Sequence, residues 1–98
     1  MRKVIVAGPF VWDAEKEEMN MIRHGIDFTE AVKAFSDPHR LIIEDLGHSD
    51  VEERFYCIGR VTGSVVTVRF TYRGGLTRII GAGYWRKWRN YYEEKAKV

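Results

Sequence analysis

The pair Gly74-Gly75 constrains this chain more than any other feature. It joins two apolar-patterned runs within Val65 to Ala82, VVTVRFTYRGGLTRIIGA. A two-glycine connection between alternating runs specifies a hairpin, because both glycines adopt the positive φ of a primed turn without steric cost. With these two as the loop, Arg73 faces Leu76, Thr71 faces Arg78 and Arg69 faces Ile80, and directly opposed residues share a face of the sheet. Arg69, Arg73 and Arg78 then lie with Thr67 and Thr71, while Val66, Val68, Phe70, Tyr72 and Ile79 point the other way. One side of the hairpin is a core and the other an arginine cluster.

The preceding strand, Arg54 to Arg60, reaches the hairpin through Val61-Thr62-Gly63-Ser64. An even number of loop residues places Arg54, Tyr56, Ile58 and Arg60 on the arginine face, with Phe55 and Cys57 in the core; an odd number reverses both sets. Leu41-Ile42-Ile43 reads as a further strand, followed by a polar loop from Asp45 to Asp50 with His48 near its tip. At the N-terminus, Lys3 to Val6 forms a short strand that Gly8-Pro9 interrupts before Phe10-Val11-Trp12.

Helix signals fill the remainder. Asp13 is an N-cap, Glu15, Glu17 and Glu18 suit the positive end of the helix dipole, Arg23 and His24 suit the last turn, and Gly25 takes the left-handed C-terminal position. The apolar pattern of this helix is thin, chiefly Ala14, Met19 and Ile22, while Lys16, Asn20 and His24 form a polar stripe. That stripe is either part of a site or a structural seam, and for Asn20 the seam is favoured. Asp27-Phe28-Thr29-Glu30 has the form of a capping box, so a second helix runs from about Phe28 to Phe35 and turns Phe28, Ala31, Val32 and Phe35 to the core before Asp37-Pro38 ends it. A C-terminal helix carries Trp85, Trp88 and Tyr92 at helical spacing, with Tyr84 and Tyr91 beside them; the stripe either docks the helix on the sheet or, with Arg86, Lys87 and Arg89 at its edge, forms a base-stacking platform. The fold class expected is α+β: a small antiparallel sheet with two N-terminal helices and one C-terminal helix packed on it.

Ninety-eight residues are enough for one domain, taken as 1–98. The formal charge of +2 conceals an asymmetry, for residues 1–68 hold 8 Lys/Arg against 12 Asp/Glu, whereas residues 69–98 hold 8 against 2. An acidic front and a basic back suit a polyanion or an acidic partner, or else a solvated basic surface. The single cysteine, Cys57, excludes an internal disulfide and a Cys-based zinc site. With no signal-peptide pattern and no apolar run approaching the ~20 residues needed to cross a bilayer, a cytoplasmic location and no membrane partner are expected.

Phosphate-binding glycine loops, His-Glu-x-x-His and the nucleophile elbow are all missing from the sequence. The arginine face instead suits RNA cleavage without a metal or other cofactor. There the 2′-hydroxyl is the nucleophile, a base takes its proton, cations stabilise charge on the phosphorus and an acid protonates the departing 5′-oxygen. Arginines match phosphate geometry, and Glu53, His24, His48, Tyr56 and Tyr84 are the candidates for proton transfer.

The order Trp12-Asp13, Lys16, Asn20, His24-Gly25, Phe28, Ala31, Phe35-Ser36-Asp37, Asp45, Glu53-Arg54, Gly59 and Arg78-Ile79-Ile80 resembles the BrnT toxin family, over nearly the whole chain from Phe10 to Tyr92. The resemblance implies a ribonuclease toxin of a bacterial toxin-antitoxin pair with a RelE-like fold. Its implied partner is a BrnA-like ribbon-helix-helix antitoxin, through which alone it would contact operator DNA. On this reading Arg54, Arg69 and Arg78 hold phosphate, Glu53 or His24 is the base, and Tyr84 or His48 the acid. Arg60, Arg73, Arg86, Lys87 and Arg89 extend the RNA-binding surface. One departure stands out: where the family continues Ser-Ala-Arg after Arg-Ile-Ile, this chain has Gly81-Ala82-Gly83. Either Arg86 substitutes for the missing cation, or the glycines relax the junction so that Tyr84-Trp85 can seat.

Overall fold

The computed structural model describes residues 2–48 and 51–96. The end of the polar loop, at Ser49 and Asp50, lies outside them. Six strands form one sheet in the order β1-β2-β6-β5-β4-β3, comprising β1 (Val4–Ala7), β2 (Phe10–Asp13), β3 (Leu41–Glu44), β4 (Arg54–Val61), β5 (Ser64–Arg73) and β6 (Leu76–Gly83). The helices are α1 (Ala14–His24), α2 (Phe28–Ala31) and α3 (Arg86–Lys95). The α+β class is as expected, but the sheet is mixed. β2 runs parallel to β6, pairing Phe10 with Thr77 and Val11 with Arg78. The long crossover between them, which contains both N-terminal helices and β3 to β5, makes a parallel pairing possible.

The central hairpin forms on its glycines, whose φ angles are 60° and 79°. Arg73 pairs with Leu76 and Thr71 with Arg78, as parity requires. The register then shifts. Phe70 pairs with Ile79 but Arg69 pairs with Gly81, so Ile80 is an extra residue in β6 and the expected Arg69–Ile80 pair does not form. Such a bulge bends the strand and increases its twist. Between β4 and β5 the loop is Thr62-Gly63, an even number, so Arg54 opposes Thr71, Tyr56 opposes Arg69 and Ile58 opposes Thr67.

One face of the sheet carries the main core, in which Trp12, Phe28, Ala31, Ala34, Cys57, Val66, Val68, Phe70 and Ile79 are buried together. Burying a side chain of this size contributes about 1.5–3 kcal/mol, so this face holds most of the stabilisation. Phe35 meets both Phe10 and Phe70 with ring centroids 5.0 Å apart. The second helix is shorter than expected: after Ala31 the chain tightens into a 3₁₀ turn over Val32–Ser36, yet Phe28 and Ala31 still face inward.

Helix α1 is docked mainly by polar groups. Met19, Met21 and Ile22 are exposed, and Asn20 is its buried residue. Asn20 Nδ2 donates to the Ile26 carbonyl at 2.9 Å, while Asn20 Oδ1 accepts the Ala82 N–H at 3.1 Å. The reason lies in β2, which leaves β6 after Val11 and becomes α1, so that the Ala82 N–H has no strand on that side. The asparagine replaces the missing ladder partner, which makes it a seam residue. Glu17 acts similarly, accepting the Trp12 indole N–H at 3.0 Å and the Phe28 N–H at 2.9 Å. Asp13 and Asp27 cap α1 and α2, and Gly25 ends α1 with φ 71°. No helix among the described residues is long and apolar enough to cross a membrane.

Candidate functional site

The second face of the sheet is divided by α3. Trp88 and Tyr92 cover Leu41, Ile43, Tyr56, Ile58 and Val65, forming a second, smaller core. The helix is fixed near its far end by Asp37, which accepts the Tyr92 hydroxyl, the Arg60 N–H at 2.7 Å and the His39 N–H at 2.9 Å. Burial opposes ionisation of this carboxyl, but the three hydrogen bonds outweigh it and hold its pKa below the usual aspartate value. Arg60 is thereby placed at the outer edge of α3, its guanidinium 5.5 Å from the Tyr92 ring centre and within 3.4 Å of the Gly63 carbonyl.

The arginines left on the other half are not equivalent. Arg73 meets both carboxylate oxygens of Glu52, at 2.9 and 3.1 Å, and Arg54 reaches the same group at 3.9 Å. The hydrogen bond from Arg73, reinforced by the charges of Arg54 and Arg78, holds the Glu52 carboxyl below the ordinary glutamate range. Arg78 is half-buried between Thr71 and Val11. Arg69 is also half-buried, and among the described residues no carboxylate lies at ion-pair distance from it. Glu53 is exposed, and it is its main-chain carbonyl that is engaged, by the Thr71 hydroxyl at 2.6 Å.

Two cavities meet at Arg69. The first, of about 390 Å³, is lined by Glu15, Lys16, Asn20, Arg23 and His24 of α1, by Ile80 to Ala82, and by Trp85. The second, about 280 Å³, is lined by His48, Tyr56, Trp85 and Trp88. Both include Arg69 and Trp85, and each is lined by one histidine, His24 in the first and His48 in the second. The His24 ring lies 5.2 Å from that of Trp85. His48, in a 3₁₀ turn over Leu46–His48, has its Nδ1 2.9 Å from Oδ2 of the buried Asp45. In the neutral ring, donation from Nδ1 leaves the lone pair on Nε2, which is the arrangement a general base requires. Burial, together with the charge and hydrogen bond of Asp45, pushes the Tyr56 hydroxyl above the usual tyrosine value and keeps it protonated. The role of Asp45 escaped sequence reasoning, although it stands among the residues that carry the family resemblance and three residues before a histidine.

Other candidates lie apart from this centre. Tyr84, Arg86, Arg89 and Arg60 line a third cavity of about 490 Å³, reached across Trp85. Lys87 sits 4.9 Å from the Trp88 ring centre. Arg54 and Arg73 share a fourth cavity with His48 and Glu52. Burial drives the Cys57 thiol up to about 12, which makes it inert. Among the described residues no three His, Cys, Asp or Glu side chains gather in a way that could hold a metal ion.

Gly83 has a steric reason. It pairs with Thr67, and a Cβ built on it would lie 2.7 Å from Cη2 and Cζ3 of Trp85. The indole is folded back over the glycine, so a larger residue at 83 would displace the ring. The glycine thus makes room for the side chain that both central cavities share.

Residues 12–88 match the model of a family described as the ribonuclease toxin, BrnT, of type II toxin-antitoxin systems, so the chain belongs to that family. No individual curated protein is similar enough to register as a match.

Proposed function

Proceeding from membership of the BrnT ribonuclease toxins, we propose that this protein cleaves RNA without a metal ion at the site centred on Arg69, and that a partner antitoxin neutralises it by covering that site. The observation that carries the reading is the position of Arg69: half-buried, without a carboxylate partner among the described residues, and flanked by cavities that each hold a histidine. A phosphate bound there supplies the missing counter-charge. His24 or the Asp45-supported His48 takes the 2′-hydroxyl proton, the 2′-oxygen bonds to phosphorus, and the opposite histidine protonates the 5′-oxygen as its bond to phosphorus breaks. Arg54 and Arg78 bind neighbouring phosphates, as do Arg86, Lys87, Arg89 and Arg60 along α3. Glu53 and Tyr84 are secondary candidates for proton transfer because they lie outside the two central cavities.

The antitoxin is proposed to be a BrnA-like ribbon-helix-helix protein that carries the pair to operator DNA, with the cytoplasm as the working compartment. The fold is proposed to be RelE-like. A second reading, a catalytically silent homologue that keeps the partner surface, draws its support from Gly83, where the family resemblance leads one to expect a cation.

The test is incubation of the purified protein with a structured RNA in chelator. Fragments ending in 2′,3′-cyclic phosphate are expected. Intact RNA at high protein concentration, with binding retained, would favour the silent homologue.

A further inference from the structure

The three tryptophans have separate fates. Trp12 is 1% exposed within the main core, and Trp88 is packed between the sheet and Tyr91. Trp85 remains 38% exposed. The local structure accommodates this ring twice over. Gly83 is cut back to leave room for it, and Trp85 occupies the N-cap of α3 although its side chain makes no capping hydrogen bond, a position that favours Ser, Thr, Asp or Asn. Local choices that conflict with stability, around a side chain left open to solvent, mark functional positions.

What surrounds the indole indicates its ligand. It is a wall of both cavities that meet at Arg69, and also of the one lined by Arg86 and Arg89. A flat, half-exposed aromatic plane among guanidinium groups matches single-stranded nucleic acid, whose bases stack on aromatics while its phosphates meet cations. We infer that Trp85 is the nucleobase platform of the site, stacking the base next to the phosphate held by Arg69 and favouring purines through their larger ring area. This rests on the proposed RNA reading and adds a specificity-determining residue to it.

The test measures binding of short RNA oligonucleotides carrying a 2′-deoxy substitution at the cleaved position, so that no turnover is needed. For a purine at the stacked position, Trp85→Ala should weaken binding about tenfold, as expected for loss of one stacked base. Trp85→Phe should retain most of the affinity, and an abasic site at that position should remove the difference between the variant and the unmodified protein. Indole fluorescence should be quenched on binding in the unmodified protein and much less in Trp85→Phe, a signal that a purely structural role would not produce. Equal binding by Trp85→Ala and the unmodified protein, while Arg69→Ala binds weakly, overturns the platform and leaves the RNA reading intact. An equal loss on base-containing and abasic oligonucleotides also overturns it. If the unmodified protein binds no oligonucleotide, both readings fail together.

Discussion

Arg69 and Arg73 lie on the same strand and the same face, four residues apart, and yet have different electrostatic surroundings. Arg73 is held by both oxygens of Glu52, whereas Arg69 faces two cavities with no carboxylate at ion-pair distance among the described residues. The comparison teaches that a cluster of arginines on a sheet is not a uniform phosphate-binding surface. A guanidinium already satisfied by a carboxylate must give up that pair before it can bind an anion, and only the difference appears as affinity. Arg69 thus keeps a charge that Arg73 shares with Glu52.

The strongest way to break this contrast is Arg69→Ala. It should lower RNA cleavage by about 100-fold or more, the usual consequence of removing one charge-stabilising donor. It should also reduce the slope of log affinity against log salt by about one. Equal effects from Arg69→Ala and Arg73→Ala would abolish the distinction.

Next in size is the wall of the Arg69 cavity. Asn20→Ala leaves the Ala82 N–H and the Ile26 carbonyl without their partner, at a cost of about 2–4 kcal/mol in a urea melt. Because α1 carries Lys16 and His24, cleavage should fall as well in protein that is still folded. A change below about 0.5 kcal/mol would show that α1 does not depend on this seam.

Asp37→Asn tests the other wall, where Tyr92 fixes α3. It should destabilise by about 2–3 kcal/mol at neutral pH, since both carboxylate oxygens accept while the amide nitrogen of asparagine cannot, so at least one donor loses its partner and the remaining charge-assisted hydrogen bonds become neutral. The pH dependence has a definite sign. The folded-state value of Asp37 is depressed, so its stabilisation is complete above the ordinary value of 3.8 and lost as pH falls through the lower folded value. Denaturation below pH 4 should accordingly be less steep in Asp37→Asn, and identical acid limbs would refute the assignment.

The smaller effects concern Glu52 and its partner. Glu52→Gln should release Arg54 and Arg73 and tighten RNA binding, about threefold at low salt, with a steeper salt slope. Because the Glu52 value is held below the ordinary 4.5, this difference should be constant across neutral pH and disappear only in acid. Arg73→Ala should change cleavage by less than about threefold. A larger loss would mean that Arg73 leaves Glu52 when RNA binds.

Much of this arrangement was legible in the sequence because its causes are local. Gly74-Gly75 set the hairpin, and Asp13, Gly25 and Asp27 marked helix ends through hydrogen bonds spanning a few residues. The hairpin put Arg69, Arg73 and Arg78 on one face, and Arg54 joined them only once the structure showed the two-residue Thr62-Gly63 loop between β4 and β5. The tertiary structure decided which of them a carboxylate holds. The parallel β2–β6 pair, the Ile80 bulge, the placing of α3 over half the face, the Glu52 carboxylate beside Arg73 and the Trp85 ring over Gly83 depend on packing or on which charges and rings come to share one space. Side-chain parity follows from the backbone period of two, whereas electrostatic availability depends on neighbours brought together by the whole fold.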